Sequence, residues 1–392
     1  MNNDPLSLRT LFLLDPSVTF LNHGSFGATP IPVFEKYQEW QRMLEKEPVE
    51  FLGRKASEYL AEARQAIAPE LGCDPDDFTF VINATTGMNV VIHSLPLTAQ
   101  DEVLTTNHEY GAIDKTWQFY SRQKGFTIVR ARFSLPVSSP DLWIEELWSQ
   151  VTPRTRVISI SHITSPTALV FPVEKVIERA RNAGILTLID GAHSPGQIPV
   201  NLRKLGADFY TGNFHKWVCA PKGAGFLYVR PEYHSLIQPL IVSWGYDNPN
   251  SQRSPFLDHT EWWGTRDISA FLTVPEAYQF LRTHHWDKVR ERCHQQLKET
   301  CNAFRERLGV IPLSADQDTW NAQMISLQIP RLSPRSIPEV SRRLWEDFRI
   351  EVPLVEWEDS VLIRISFQGY NTPEDYKKLE HALGEILVAP IT

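Results

Sequence analysis

Between about Thr79 and Val229 the sequence alternates short apolar runs with amphipathic stretches, and that alternation admits few folds. Val103–Thr105, Thr127–Arg130, Arg156–Ser161, Leu186–Asp190, Phe209–Thr211 and Phe226–Val229 read as strands. Between Arg156–Ser161 and Leu186–Asp190 lies PVEKVIERARNAG. In it Val173, Val176, Ile177 and Ala180 fall at i, i+3, i+4 and i+7, which makes one apolar helical face. Pro172 suits the start of that helix and Gly184 its stop. Strand, helix, strand at this spacing is a βαβ unit, so an α/β chain with a mostly parallel sheet is expected.

After about Asp267 the pattern changes. Ile268–Thr283 and His285–Leu308 read as helices, Gln323–Ile329 as a strand, Ile337–Phe348 as a helix and Val361–Ser366 as a strand. Pro373–Leu387 reads as a closing helix, which completes a smaller α+β domain. A chain of 392 residues supports two or three domains. The net charge of −8 argues against a nucleic-acid partner. Leu11–Leu14 is too short for a signal peptide, and no later run approaches a membrane span. Four cysteines with no C-x-x-C signal no metal site and suit a reduced, cytoplasmic protein.

Polar clusters sit where predicted strands end, the place where open α/β sheets bind ligands. They are Ser161–Ser165, Asp190-Gly191-Ala192-His193 and Gly212-Asn213-Phe214-His215-Lys216. A further cluster, Asn83–Asn89, follows Phe80–Ile82 and opens a helix. Backbone amides at a helix start, with the hydroxyls of Thr85 and Thr86, suit a phosphate, although both threonines also read as plain helix caps. Lys216 stands between aromatic neighbours, where a lysine can lose its charge and attack an aldehyde; read alone it is also an ordinary loop lysine. Asp190 ends an apolar strand and could pair with a protonated pyridine nitrogen or simply cap the strand. His108 could stack on a cofactor ring and His193 could bond a phenolic oxygen, or each could be a satisfied buried histidine.

The order of these clusters resembles the class V aminotransferase family of fold-type I pyridoxal 5′-phosphate (PLP) enzymes, over about Phe20 to Val388. LNHGSFGATP at Leu21–Pro30, NHEYGA at Asn107–Ala112 and SHITSPTALVFPV at Ser161–Val173 look most like its isopenicillin N epimerase branch, which also holds C–S lyases. The resemblance implies a seven-stranded, mostly parallel sheet. It implies an N-terminal segment (1–20) packing with the small domain, a PLP-binding large domain (21–267) and a small domain (268–392). It implies that Lys216 carries PLP as a Schiff base, Asp190 pairs with the ring nitrogen and His108 stacks on the ring. His193 and Ser165 would contact the phenolic oxygen, and Thr85, Thr86, Asn213 and His215 would hold the phosphate. Gly264 and Thr265 would reach the phosphate from a second copy, which implies a homodimer with shared sites. Arg364 would hold the substrate carboxylate, with Asn22, His23 and Gly24 on the substrate side. No cysteine lies in Arg349–Val361, where cysteine desulfurases of the family carry their nucleophile, so a persulfide mechanism is not expected.

Labilising a bond at Cα can end in epimerisation, in loss of a sulfur group or in transamination, and the sequence leaves these open. A binding protein without chemistry is a separate reading, which an intact Lys216 and Asp190 argue against. A dinucleotide-binding oxidoreductase rests only on Gly223-Ala224-Gly225, which G-x-x-G does not complete.

Overall fold

The computed structural model describes residues 5–249, 251 and 253–388; the two ends of the expected domains, 1–4 and 389–392, lie outside them. The apolar runs form β1 (Phe78–Val81), β2 (Glu102–Thr106), β3 (Thr127–Ala131), β4 (Thr155–Ser161), β5 (Leu186–Gly191), β6 (Phe209–Asn213) and β7 (Gly225–Val229). They make one seven-stranded sheet in the order β1-β7-β6-β5-β4-β2-β3. Neighbours from β6 to β3 are parallel, whereas β7 runs antiparallel to both β1 and β6. Helices cover both faces, which explains why β6 and β7 are buried at every residue.

The helices that matter for the site are α1 (His23–Phe26), α2 (Ala84–Ser94), α3 (Gly111–Lys124), α4 (Val173–Asn182) and α5 (Trp286–Leu308). The four apolar residues expected to share one face of α4 are all buried. Gly184 follows at a φ of 69°, a conformation that ends a helix at no steric cost to glycine.

The expected single helix over Ile268–Thr283 is two helices, Ser269–Leu272 and Val274–Thr283. Pro275 is the cause. It has no N–H to give to Phe271 and so opens the second helix instead of continuing the first. Beyond α5, strands β8 (Ile311–Pro312), β9 (Met324–Gln328), β10 (Leu354–Trp357) and β11 (Ser360–Ser366) form an antiparallel sheet in the order β10-β11-β9-β8. Near the N-terminus, Thr19–Phe20 pairs in parallel with Ile350–Glu351. That pairing brings α1 to the junction between the two sheets. No helix among the described residues is long and apolar enough to cross a membrane.

Candidate active site

The carboxyl ends of β4, β5 and β6 lie side by side, with Ser161 opposite Asp190, Asp190 opposite Thr211 and Gly191 opposite Gly212. Above them is a cavity of about 450 Å³ whose wall includes Thr85, Ser165, Asp190, His193, Lys216 and Arg364. A second hollow of similar volume, about 450 Å³, lies behind the Pro195–Val200 segment and has no lysine in its wall.

Lys216 is partly open to the cavity, and its Nζ is 3.1 Å from Nε2 of His193. Burial and the nearby Arg364 charge push its amine down to about 7, against the pull of Asp190. Nδ1 of His193 accepts the Trp217 indole N–H at 3.4 Å. With Nδ1 accepting, a neutral imidazole carries its hydrogen on Nε2, facing Nζ, and that contact is a hydrogen bond only when the amine is uncharged. Burial keeps His193 far below the ordinary histidine value, and the Lys216 charge acts in the same direction. The pair therefore favours a neutral lysine.

Asp190 is buried, and one carboxylate oxygen accepts the Ala192 N–H at 2.9 Å. Burial raises its pKa, while the Ala192 bond and Lys216 lower it. Its other oxygen has no partner among the described residues. A buried carboxyl with a vacant oxygen at the cavity end fits the protonated ring nitrogen of PLP.

Arg364 is a buried guanidinium held without a carboxylate. Its Nη1 donates to the Ser165 carbonyl at 2.8 Å and to Ser165 Oγ at 3.1 Å, and its Nη2 donates to Ser25 Oγ at 2.9 Å. Its Nε is buried and unpartnered. Burial lowers its pKa to about 10. Glu358 accepts from Asn107 and lies 4.0 Å from Arg132, so it does not serve as the counter-ion of Arg364. A charge of this kind is costly unless something supplies its counter-ion, and a substrate carboxylate does so.

At the other end of the cavity the first turn of α2 is already partly capped. Asn213 Oδ1 accepts the Ala84 N–H at 2.8 Å, and Asn83 Oδ1 accepts the Thr86 N–H at 2.8 Å. Asn213 thus braces the turn. Thr86, expected at a phosphate, turns its hydroxyl to Asn83 at 3.0 Å and does not line the cavity, whereas Thr85 does. His215 lines the wall with Nδ1 toward the Ala224 carbonyl at 3.0 Å, and burial lowers its pKa to about 4. Nε2 of that neutral ring only accepts, so His215 donates to a phosphate only when the anion itself holds it protonated.

Two expectations are corrected by placement. His108 does not line the cavity: it is buried behind it, bonded to Thr167 at 2.8 Å and packed on Trp357 at 4.9 Å. Its N–H folds back to Thr106 Oγ1, which turns the ring into the body of the protein. Tyr110, two residues on, lines the cavity instead. Asn22 and His23 are also off the wall: Asn22 is tied to Glu351 at 2.9 Å, and His23 lies beneath the Lys216 backbone. Gly24 alone of that trio lines the cavity. Gly264 and Thr265, expected at the site of a second copy, do not line the cavity of their own chain. The sequence reading missed Ser25 and Tyr110. Both lie inside motifs it singled out, LNHGSFG and NHEYGA, where alternate residues face opposite ways.

The sequence model described as aminotransferase class-V matches residues 28–379. The isopenicillin N epimerase of Amycolatopsis lactamdurans is 35% identical over 95% of this chain and 96% of its own. An L-cysteine desulfhydrase of Arabidopsis thaliana is 27% identical over 96% of this chain and 89% of its own. Among solved structures, C-DES with a glycine covalently linked to its PLP cofactor superposes with a TM-score of 0.81 at 21% identity, covering 94% of this chain and 97% of that one. The match runs through every strand whose end borders the cavity, and the chain belongs to the aminotransferase class-V family.

Proposed function

We propose that this protein is a PLP-dependent enzyme that labilises the Cα–H bond of an amino acid, with epimerisation as its outcome. The observation that carries the proposal is Arg364: a buried guanidinium without a counter-ion, on the wall of the cavity that also holds Lys216 and Asp190. The epimerase relative, similar over 96% of its own length, supports the choice among outcomes. Carbon–sulfur cleavage is the second reading, favoured by the desulfhydrase relative. It would proceed without a protein thiol, because among the described residues no cysteine lines the cavity. Cys219, Cys293 and Cys301 are buried, and burial pushes the Cys73 thiol up to about 12.

PLP, when bound, supplies an electron sink conjugated with the substrate Cα. Asp190 would keep its ring nitrogen protonated through the vacant carboxylate oxygen. Thr85 and the start of α2 would hold the phosphate, a fit of hydroxyl and helix dipole to an anion. Arg364 grips the α-carboxylate with a fork that Ser25 and Ser165 already orient, so less freedom is lost on binding. Lys216, whose amine loses its charge as pH rises through about 7, takes the Cα proton, and His193 holds the uncharged Nζ in place until then.

A homodimer with shared sites is part of the proposal. Ile241, Val242, Trp244 and Tyr246 are exposed on the stretch that leads to Gly264 and Thr265, and Trp244 is 87% accessible. Apolar exposure of this kind suits an interface.

The test is a panel of amino acids incubated with the PLP-loaded protein in D2O. The readings are deuterium at Cα, inversion of configuration, sulfide, pyruvate and keto acid. Exchange with inversion is expected for at least one amino acid. PLP binding with no exchange for any member would mark a binding protein without chemistry.

A further inference from the structure

Helix α1 is a single turn, yet it touches both ends of the reaction site. His23 and Ser25 are two residues apart on it, which sets their side chains on nearly opposite sides. On one side Ser25 Oγ accepts Arg364 Nη2 at 2.9 Å and donates to Asn22 Oδ1 at 2.5 Å. On the other, His23 Nε2 lies 2.9 Å from the main-chain carbonyl oxygen of Lys216, and Nδ1 lies 2.9 Å from the Tyr370 hydroxyl. The ring is completely buried, packed on Trp217 at 4.9 Å, with the Gln368 amide nitrogen 3.0 Å from Nε2. A carbonyl only accepts, so the contact with Lys216 is a hydrogen bond in the tautomer with hydrogen on Nε2, and Nδ1 then accepts from Tyr370. In that tautomer the Gln368 amide nitrogen, also only a donor, makes no hydrogen bond to Nε2. Burial keeps the ring neutral, with a pKa of about 3.

The backbone fixes the same approach. Gly27 ends α1 at a φ of 70°, and a Cβ there would come within 1.9 Å of the His215 carbonyl oxygen. The turn that carries Lys216 closes with Cys219 N–H on the Lys216 carbonyl at 3.1 Å, and Cys219 takes a positive φ of 63°. A turn held in that conformation needs support from outside, and His23 supplies it.

We propose that α1 is a spacer that fixes the distance between Lys216 and Arg364. His23 is a positioning residue for the lysine main chain, and Ser25 is a positioning residue for the guanidinium fork. Neither touches the reacting atoms. The proposal rests on the PLP reading above and adds two residues whose effects separate. Loss of His23 disturbs how Lys216 is presented to the cofactor aldehyde. Loss of Ser25 disturbs how the substrate carboxylate is held.

The experiment compares His23→Asn, His23→Gln, Ser25→Ala and Tyr370→Phe with wild type in three readouts. These are the rate at which apo-protein captures PLP (growth of its visible band), the Kd of 2-aminoisobutyrate, which has no Cα proton to lose, and the Kd of a decarboxylated amine. His23→Asn should slow capture by about 10-fold and leave both Kd ratios near wild type. His23→Gln should recover most of that rate, because its amide nitrogen sits where imidazole Nε2 does and can donate to the same carbonyl. Ser25→Ala should capture PLP normally, bind 2-aminoisobutyrate about 10-fold more weakly and bind the amine as before. Tyr370→Phe removes one hydroxyl and should slow capture in the same direction as His23→Asn, so it carries the test if the His23 variants do not fold. Capture at the wild-type rate in His23→Asn or in Tyr370→Phe, or no recovery in His23→Gln, overturns the proposal. A wild-type protein that captures no PLP overturns the functional reading instead.

Discussion

The Nζ of Lys216 stands 3.1 Å from the Nε2 of His193, and the indole of Trp217 fixes which hydrogen lies between them. An amine held beside a neutral imidazole and lowered to about 7 is protonated below that pH and nucleophilic above it. PLP capture by the apo-protein should therefore accelerate as pH rises through about 7 and level off above, as stopped-flow absorbance can follow. A rate that keeps climbing toward the ordinary lysine value would contradict this account of the pair.

Arg364→Lys should keep the PLP spectrum and lose affinity for amino acids by at least about 10-fold, roughly 1.4 kcal/mol. A lysine has no fork to match both carboxylate oxygens, and it leaves the Ser25 and Ser165 acceptors badly served. Decarboxylated amines should bind both proteins alike. Titration of the visible band with each ligand decides the matter, and normal amino-acid binding by the variant would remove Arg364 from the carboxylate site.

Which parts of this site were legible in the sequence follows from the range of the interactions. Asp190, Lys216 and Ser165 sit at strand ends, and strand ends are set by local apolar runs, so spacing alone brought them to one edge of the sheet. Ser25 and Arg364 are 339 residues apart, and nothing local in either segment points to the other. Within NHEYGA the motif was legible but its facing was not. The turn after β2 bends His108 inward through its bond to Thr106, and Tyr110 falls on the cavity side. The break before Val274 was legible in Pro275, but the apolar periodicity of Ile268–Thr283 runs across it and masks it.

Asp190→Asn should still attach PLP to the protein but lose at least about 100-fold in turnover, since pairing a buried charge is worth a few kcal/mol. An asparagine at this position offers no charge to hold the ring nitrogen protonated. Turnover close to wild type, measured with any amino acid the wild type exchanges, would make Asp190 a strand cap only.

Glu109 offers a prediction about stability. Its carboxyl is buried between Thr106 and Ser161, each 2.6 Å away, and burial pushes it up to about 8. Between the ordinary glutamate value and that pH the folded protein holds a proton that the unfolded chain has released. The stability this group contributes is thus full in acid and is lost as pH rises toward about 8. Glu109→Gln removes the titration. Its unfolding free energy relative to wild type should move in the variant's favour from about pH 5 to about pH 8 and then stay flat. Urea titrations across that range would show it, and a gap independent of pH would contradict the assignment.

The central claim is that Lys216 holds PLP. The purified protein, loaded with PLP and reduced with borohydride, should lose its visible band and gain one pyridoxyl group, and peptide mass spectrometry should place that group on Lys216. A protein that takes up no PLP, or an adduct confined to another lysine such as Lys222, would contradict the account.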